Sequence, residues 1–370
     1  MNPIPVFDLG SAVRPLMAEI EGRWRSLTAN TSFVGGREVE EFESSFASFL
    51  DSAGCVGVAN GTDALVLALW ALDLRPGDEI IVPSFTFIAT AAAVVLAGGR
   101  PVFADVEPTT LNLDPESLAA RISERTVGVI GVHLYGRPFA VDRILDLCRR
   151  RGLWLLEDAA QAHGAEWEGR RVGTFGRLAT WSFYPSKNLG CFGDGGAVTG
   201  NDAELLERVR RLANHGRVEH YHHSEVGSNS RLDALQAAVL NCRLPLLEAD
   251  NERRGEIAGR YREVLGDLDG LELLVDPAAA QSVYHQFTVL TSRRDELRRF
   301  LADEGISTAI HYPLALHLQP AFETWVDDRD ALPVASAAGS RVLCLPMYPQ
   351  LAAETVDDVC RAIRRFFNAD

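Results

Sequence analysis

From residue 55 to residue 157, short apolar runs alternate with stretches of helical spacing, and this rhythm constrains the fold more than any other feature of the chain. Residues 55–59 (CVGVA) lead into a helical pattern over residues 63–72, the turn RPGDE and a second apolar run at residues 80–82. A helix of small residues then runs to Ala97, residues 101–105 form a third run, and another helix starts at Pro115. Residues 127–133, a helix from Asp142 and residues 153–157 complete the series. Strands that alternate with helices and are apolar on both faces predict a mostly parallel sheet covered on both sides.

Outside this series the pattern changes. Val39, Phe42, Phe46 and Phe49 fall at helical spacing among acidic residues, so an amphipathic helix precedes the first strand. A long helical pattern runs from Arg231 to about Leu268 and is interrupted by Pro245, which bends or breaks a helix. Beyond it, residues 284–291, 308–312 and 342–346 read as strands, with helices from Arg294 and Ala353. The expected organisation is a large α/β domain over residues 1–245, with an N-terminal helical segment, and a smaller α+β domain over residues 246–370. A chain of 370 residues, 47% of them hydrophobic, is long and apolar enough for both.

The net charge of −15 argues against generic binding to nucleic acid or an anionic membrane, although a local cluster can still receive an anionic small molecule. Six scattered cysteines contain no C-x-x-C pair, which argues against a structural zinc site or a disulfide framework. The start MNPIPVFDLG is not a signal peptide, and the apolar run at residues 88–97 is too short to span a bilayer. A soluble, cytoplasmic protein is expected. The histidine-rich HGRVEHYHHSE from His215 lacks recognised ligand spacing, and no metal site is assigned to it.

Three stretches carry chemistry. In NGTDAL a short strand gives way to a helix at Gly61–Thr62, where free N–H groups and the positive end of the helix dipole can receive a phosphate. The same pattern also reads as an ordinary capped helix start. In LWLLEDAAQAHGA an apolar strand ends at Glu157–Asp158, where ligands bind in open α/β sheets, and Gln161 follows. Asp158 also reads as a helix N-cap. In SFYPSKNLGCFGDGGAV a single lysine, Lys187, follows a short β-like run and precedes a glycine-rich loop. Together a phosphate cradle, a carboxylate and an amine fit pyridoxal phosphate: phosphate at the helix start, ring nitrogen on the aspartate, aldehyde on the lysine.

With those motifs in place, the sequence resembles the sugar aminotransferases of the DegT/DnrJ/EryC1/StrS family, within the fold-type I (aspartate aminotransferase-like) pyridoxal phosphate enzymes. The likeness runs through ANGTDAL, VPSFTFIATA, EDAAQAHGA, SFYPSKNLGCFGDGGAV, SNSRLDALQAAVL and HYPLALHLQPAF, in that order along the chain. It implies that Lys187 carries the cofactor and shuttles a proton, that Asp158 pairs with the pyridinium, and that Gln161 contacts the ring hydroxyl. Phe87 would stack on the ring. Gly61, Thr62, Asp63 and Ser182 would hold the phosphate, and Asn229 would reach it from the partner subunit of a homodimer with shared sites. Tyr184, His311 and Tyr312 would line the sugar site, and Arg217, His220 and Tyr221 would face the nucleotide phosphates.

Some members of the family carry histidine in place of the lysine and perform dehydration, so the presence of Lys187 points to transamination. The family's HYPxPLHL pattern has lost a proline here, where Ala315 follows Leu314. The resemblance implies amino transfer from L-glutamate to a nucleoside-diphosphate-linked keto-deoxyhexose, with the cofactor alternating between pyridoxal and pyridoxamine phosphate. The motif wording lies closest to members acting at C-3 of 3-keto-6-deoxyhexoses. Amination at C-4, or of a cyclitol, is the alternative. A non-enzymatic pyridoxal phosphate-binding regulator is disfavoured, because no added DNA-binding domain or basic face is evident.

Overall fold

The computed structural model describes residues 3–326 and 331–368. Seven strands form the central sheet: β1 (Gly54–Val58), β2 (Glu79–Pro83), β3 (Arg100–Ala104), β4 (Thr126–Val132), β5 (Trp154–Asp158), β6 (Leu178–Ser182) and β7 (Gly196–Gly200), in the order β1-β7-β6-β5-β4-β2-β3. β7 is antiparallel to both its neighbours, and the remaining pairs are parallel. The carboxyl ends of the parallel strands therefore meet at one edge, and the loops that leave them bring Asn60, Ser84, His133, Asp158 and Ser182 to the same side of the sheet. Apolar clusters lie on both faces. One contains Val58, Leu67, Ile80, Ile130 and Val198, the other Phe42, Phe46, Ala179, Trp181 and Leu240.

The helix predicted around Phe42 spans Arg37–Leu50 and buries Val39, Phe42, Phe46 and Leu50, while Phe49 is only partly covered. Pro245 acts as expected: Ala234–Arg243 and Leu247–Leu265 are separate helices joined by the single 3-10 turn Leu244–Leu246. After them, β8 (Glu272–Leu273), β9 (Phe287–Leu290) and β10 (Val342–Leu345) form a three-stranded antiparallel sheet. Helices Leu247–Leu265, Arg294–Asp303 and Ala353–Asn368 pack on it through Tyr261, Leu297, Val359 and Ile363. One expectation fails here. Residues 308–312 are not a strand, because only Ala309 bridges to Cys344 before the chain turns away to bring His311 and Tyr312 towards the large sheet. Among the described residues no helix is long and apolar enough to cross a membrane.

Candidate active site

The helix Gly61–Ala71 starts immediately beyond β1. Its cap is Asn60, whose side chain accepts from the Asp63 N–H at 2.9 Å, so Thr62 is not the cap. The first-turn N–H groups of Gly61 and Thr62 have no acceptor within the helix and are available to an anion. The Asp63 N–H is already occupied. A side chain at Gly61 would place its Cβ 2.7 Å from Cβ of Ser182, so glycine is what lets the helix start and the end of β6 close on each other. Gly61, Thr62 and Ser182 are thus brought together at the start of the helix.

Glu157 and Asp158 diverge because successive strand residues face opposite sides of a sheet. The Glu157 carboxylate is fully buried and accepts from the N–H groups of Gly173 (2.7 Å), Phe175 (2.8 Å) and Gly176 (2.7 Å), with His133 Nε2 at 3.1 Å. Burial would raise its pKa, but the His133 contact and the backbone donors outweigh that and hold it below the ordinary value. It is a structural anchor. Asp158, on the other side, accepts from Thr90 Oγ1 at 2.8 Å and Ala160 N–H at 3.3 Å. Burial pushes its pKa up against those bonds and the nearby Lys187 charge, which is the state of a carboxylate suited to receive a cation. Thr90 escaped the sequence reading; its position in VPSFTFIATA was the available signal.

Lys187 is the only lysine in the chain. Its backbone N–H bonds the Tyr184 carbonyl at 2.8 Å, and Gly190 lies so close to the Tyr184 and Pro185 carbonyls that a Cβ there would be 2.7 Å from both. The tight loop after the lysine is therefore a glycine-dependent turn. Among the described residues no carboxylate forms an ion pair with the amine. Burial pushes its pKa down to about 8, with Asp158 pulling in the opposite direction. A lysine in this state loses its proton far more readily than a surface one.

Gln161 has both ends of its amide assigned: Oε1 accepts from the Tyr135 N–H at 2.6 Å and Nε2 donates to the Tyr312 hydroxyl at 3.1 Å. The Tyr312 ring stands 5.8 Å from that of Phe87. Phe87 is half-exposed, whereas Phe85 is buried. The Tyr312 hydroxyl is pushed above its ordinary pKa by burial, and His311 is pushed below its own by burial and Lys187. Ala315, at the site of the lost proline, is buried and leads into a 3-10 turn whose Leu316 N–H bonds the Ser84 carbonyl at 2.7 Å.

The remaining candidates lie apart from this cluster within the chain. Tyr184 is exposed beside the lysine turn. Arg217, His220 and Tyr221 sit on an exposed hairpin in which Arg217–Glu219 pairs with His222–His223. Asn229 is also exposed, next to Ser230, whose hydroxyl accepts from the Ala59 N–H at 3.1 Å.

The cradle at Gly61 and Ser182, the buried Asp158 and the burial-weakened Lys187 charge fit the phosphate, ring nitrogen and aldehyde of pyridoxal phosphate. Comparison with known proteins agrees. The DegT/DnrJ/EryC1/StrS aminotransferase family model matches residues 16–364. The dTDP-3-amino-3,4,6-trideoxy-alpha-D-glucose transaminase of Streptomyces venezuelae is 44% identical over 363 residues, covering 98% of this chain and 96% of that protein. A pleiotropic regulatory protein of Geobacillus stearothermophilus is 40% identical over 367 residues, covering 98% of each. The solved structure of S. venezuelae DesV in complex with a ketimine intermediate superposes with a TM-score of 0.97 at 43% identity, covering 99% of each chain. The chain belongs to the DegT/DnrJ/EryC1/StrS aminotransferase family and is a pyridoxal phosphate-dependent sugar aminotransferase.

Proposed function

We propose that this enzyme transfers the amino group of L-glutamate to C-3 of a dTDP-linked 3-keto-6-deoxyhexose, in the cytoplasm, as a homodimer with shared active sites. The burial of Lys187 close enough to Asp158 for each to shift the other's pKa is the observation that carries the amino-transfer part. The relative that makes a dTDP-3-amino sugar supports the choice of sugar.

Bound pyridoxal phosphate supplies an aldehyde that takes the amino group and a ring that withdraws electrons. Gly61, Thr62 and Ser182 hold its phosphate. Asp158 would keep a proton on the ring nitrogen, and Thr90, which donates to its carboxylate, would hold that carboxylate in place. Gln161 presents Nε2 to the ring's hydroxyl because its Oε1 is fixed by Tyr135. The half-exposed Phe87 would cover one face of the ring. Lys187, deprotonated at modest cost, moves the proton at the reacting carbon of the donor and later of the sugar. Tyr312 and Tyr184 orient the sugar beside His311; Arg217, His220 and Tyr221 face its nucleotide phosphates, and Asn229 reaches the cofactor's phosphate from the partner subunit.

Two measurements test this. The amine-loaded enzyme is offered a panel of nucleotide-linked 3-keto and 4-keto sugars and keto-cyclitols, and the amino product is identified by NMR. Amination of a 4-keto sugar or a cyclitol in preference to the 3-keto sugar overturns the substrate assignment. Asp158→Asn keeps the shape but loses the charge, so turnover should fall by about a hundredfold or more while cofactor occupancy changes little. Near-normal turnover would reduce Asp158 to a cap.

A further inference from the structure

Beside the lysine loop lies a cavity of about 60 Å³, bounded by Ser186, His285, Gln286 and His311 and by the apolar Phe7 and Met347. The hydrogen bonds behind the two histidines decide which groups they present to it. Asn188 donates from Nδ2 to the Val283 carbonyl at 2.9 Å and to Asn251 Oδ1 at 2.9 Å. Asn251 is itself fixed by donating Nδ2 to the His163 carbonyl at 2.8 Å. Asn188 Oδ1 must therefore be the atom facing His285 Nδ1, 3.2 Å away, and that nitrogen must carry the hydrogen. Burial, with Lys187 and Arg254 nearby, keeps His285 far below its ordinary pKa, so the ring is neutral and Nε2 is a lone pair.

The second histidine has the opposite tautomer. Gln286 Oε1 takes the Cys344 thiol at 3.7 Å, so its Nε2 donates to His311 Nδ1 at 2.8 Å. Neutral His311 therefore carries its hydrogen on Nε2. Among the described residues neither Nε2 has a protein partner. The two histidines that line the cavity thus leave one free acceptor and one free donor. A carboxylate would face the His285 lone pair and an ammonium the His311 N–H, whereas a water satisfies both. The volume exceeds what one water needs, and the walls offer the polar partners a buried water requires.

We propose that His285 and His311 bind a water molecule in this cavity and supply it to the amino-transfer reaction. The inference rests on the amino-transfer activity and not on the identity of the sugar. The donor half of that reaction consumes one water and the acceptor half returns one. The water oxygen joins the donor carbon as the C–N bond breaks, both water hydrogens end on the amine that stays with the cofactor, and the keto product leaves. His285 acts as a positioning residue, because a ring so reluctant to ionise accepts a hydrogen bond without taking the proton.

The test begins with crystal structures of the cofactor-free protein and the holoenzyme at atomic resolution. Both should show an ordered water within about 3.2 Å of His285 Nε2 and His311 Nε2. A dry cavity overturns the proposal. His285→Phe keeps a ring but removes the acceptor. In single turnovers with α-deuterated L-glutamate, formation of the keto product should slow about tenfold and the deuterium effect should shrink. Slowing confined to the deuterium-sensitive phase, or no slowing, also overturns it. Should His285→Phe fail to fold, the wild-type crystals decide alone. If L-glutamate does not convert the wild-type enzyme, the donor assignment fails, and the kinetics are run with the amino donor that does.

Discussion

Against thirty-five arginines the protein has one lysine, and the fold buries it. A group whose folded pKa is about 8, against an ordinary 10.5, binds fewer protons than the unfolded chain between those values. Stability of the cofactor-free protein should therefore rise as pH climbs from about 8 to about 10.5. Because the lysine is unique, isotopically labelled lysine gives one side-chain NMR signal, and its titration midpoint should fall near pH 8. A midpoint near 10.5 would mean a solvated amine and no activation by burial. His163 supplies the acid-side counterpart. It is fully buried among Phe46, Trp181 and Phe183, and burial pushes its pKa down to about 3 against an opposing backbone interaction with Ser182. The unfolded chain takes up that proton near pH 6.5, so stability falls as pH drops from there towards 3. His163→Phe should lessen the loss measured by denaturant unfolding at about pH 4 relative to about pH 7. An equal change at both values would show that its charge is irrelevant.

At the scale of elements, the cradle is a contact between a helix start and a strand end. Gly61→Ala drives a Cβ against Ser182, which must push the helix Gly61–Ala71 away from β6 and splay the N–H groups that face an anion. Affinity for pyridoxal phosphate should fall by about tenfold or more, by equilibrium binding, a loss of about 1.4 kcal/mol. Asn60→Ala removes only the cap and should cost about 1 kcal/mol of stability. Wild-type affinity in Gly61→Ala would show that the cradle is not where the phosphate binds. The tertiary setting also explains the one misread strand. Residues 308–312 have strand-like composition, but β10 already pairs with β9 on its other side, and only Ala309 reaches it before the chain turns to the active site.

At the scale of the whole molecule, the proposed homodimer would use Asn229, exposed in this chain, to complete the neighbouring subunit's site. Lys187→Ala and Asn229→Ala should each be nearly inactive. In a mixed dimer both lesions fall in one shared site and the other site is wild-type, so each mixed dimer should recover half of normal activity. Mixed dimers that form, by native mass spectrometry, yet regain nothing would place Asn229 in its own chain's site.

Periodicity and turn chemistry were enough to define β1 to β5, the break at Pro245 and the helix start at Gly61, because those signals are local. The motifs likewise identified Lys187, Asp158 and Gln161. What needed three dimensions was every pairing across distant segments: Thr90 under Asp158, Tyr135 and Tyr312 on either end of Gln161, and Asn188 fixing the tautomer of His285. The division between Glu157 and Asp158 was also decided there, since adjacent strand residues face opposite sides and only the packed neighbours show which carboxylate the protein itself saturates. A sequence records which groups are present. Burial and hydrogen-bond partners, which set their charge and direction, exist only once the chain has folded.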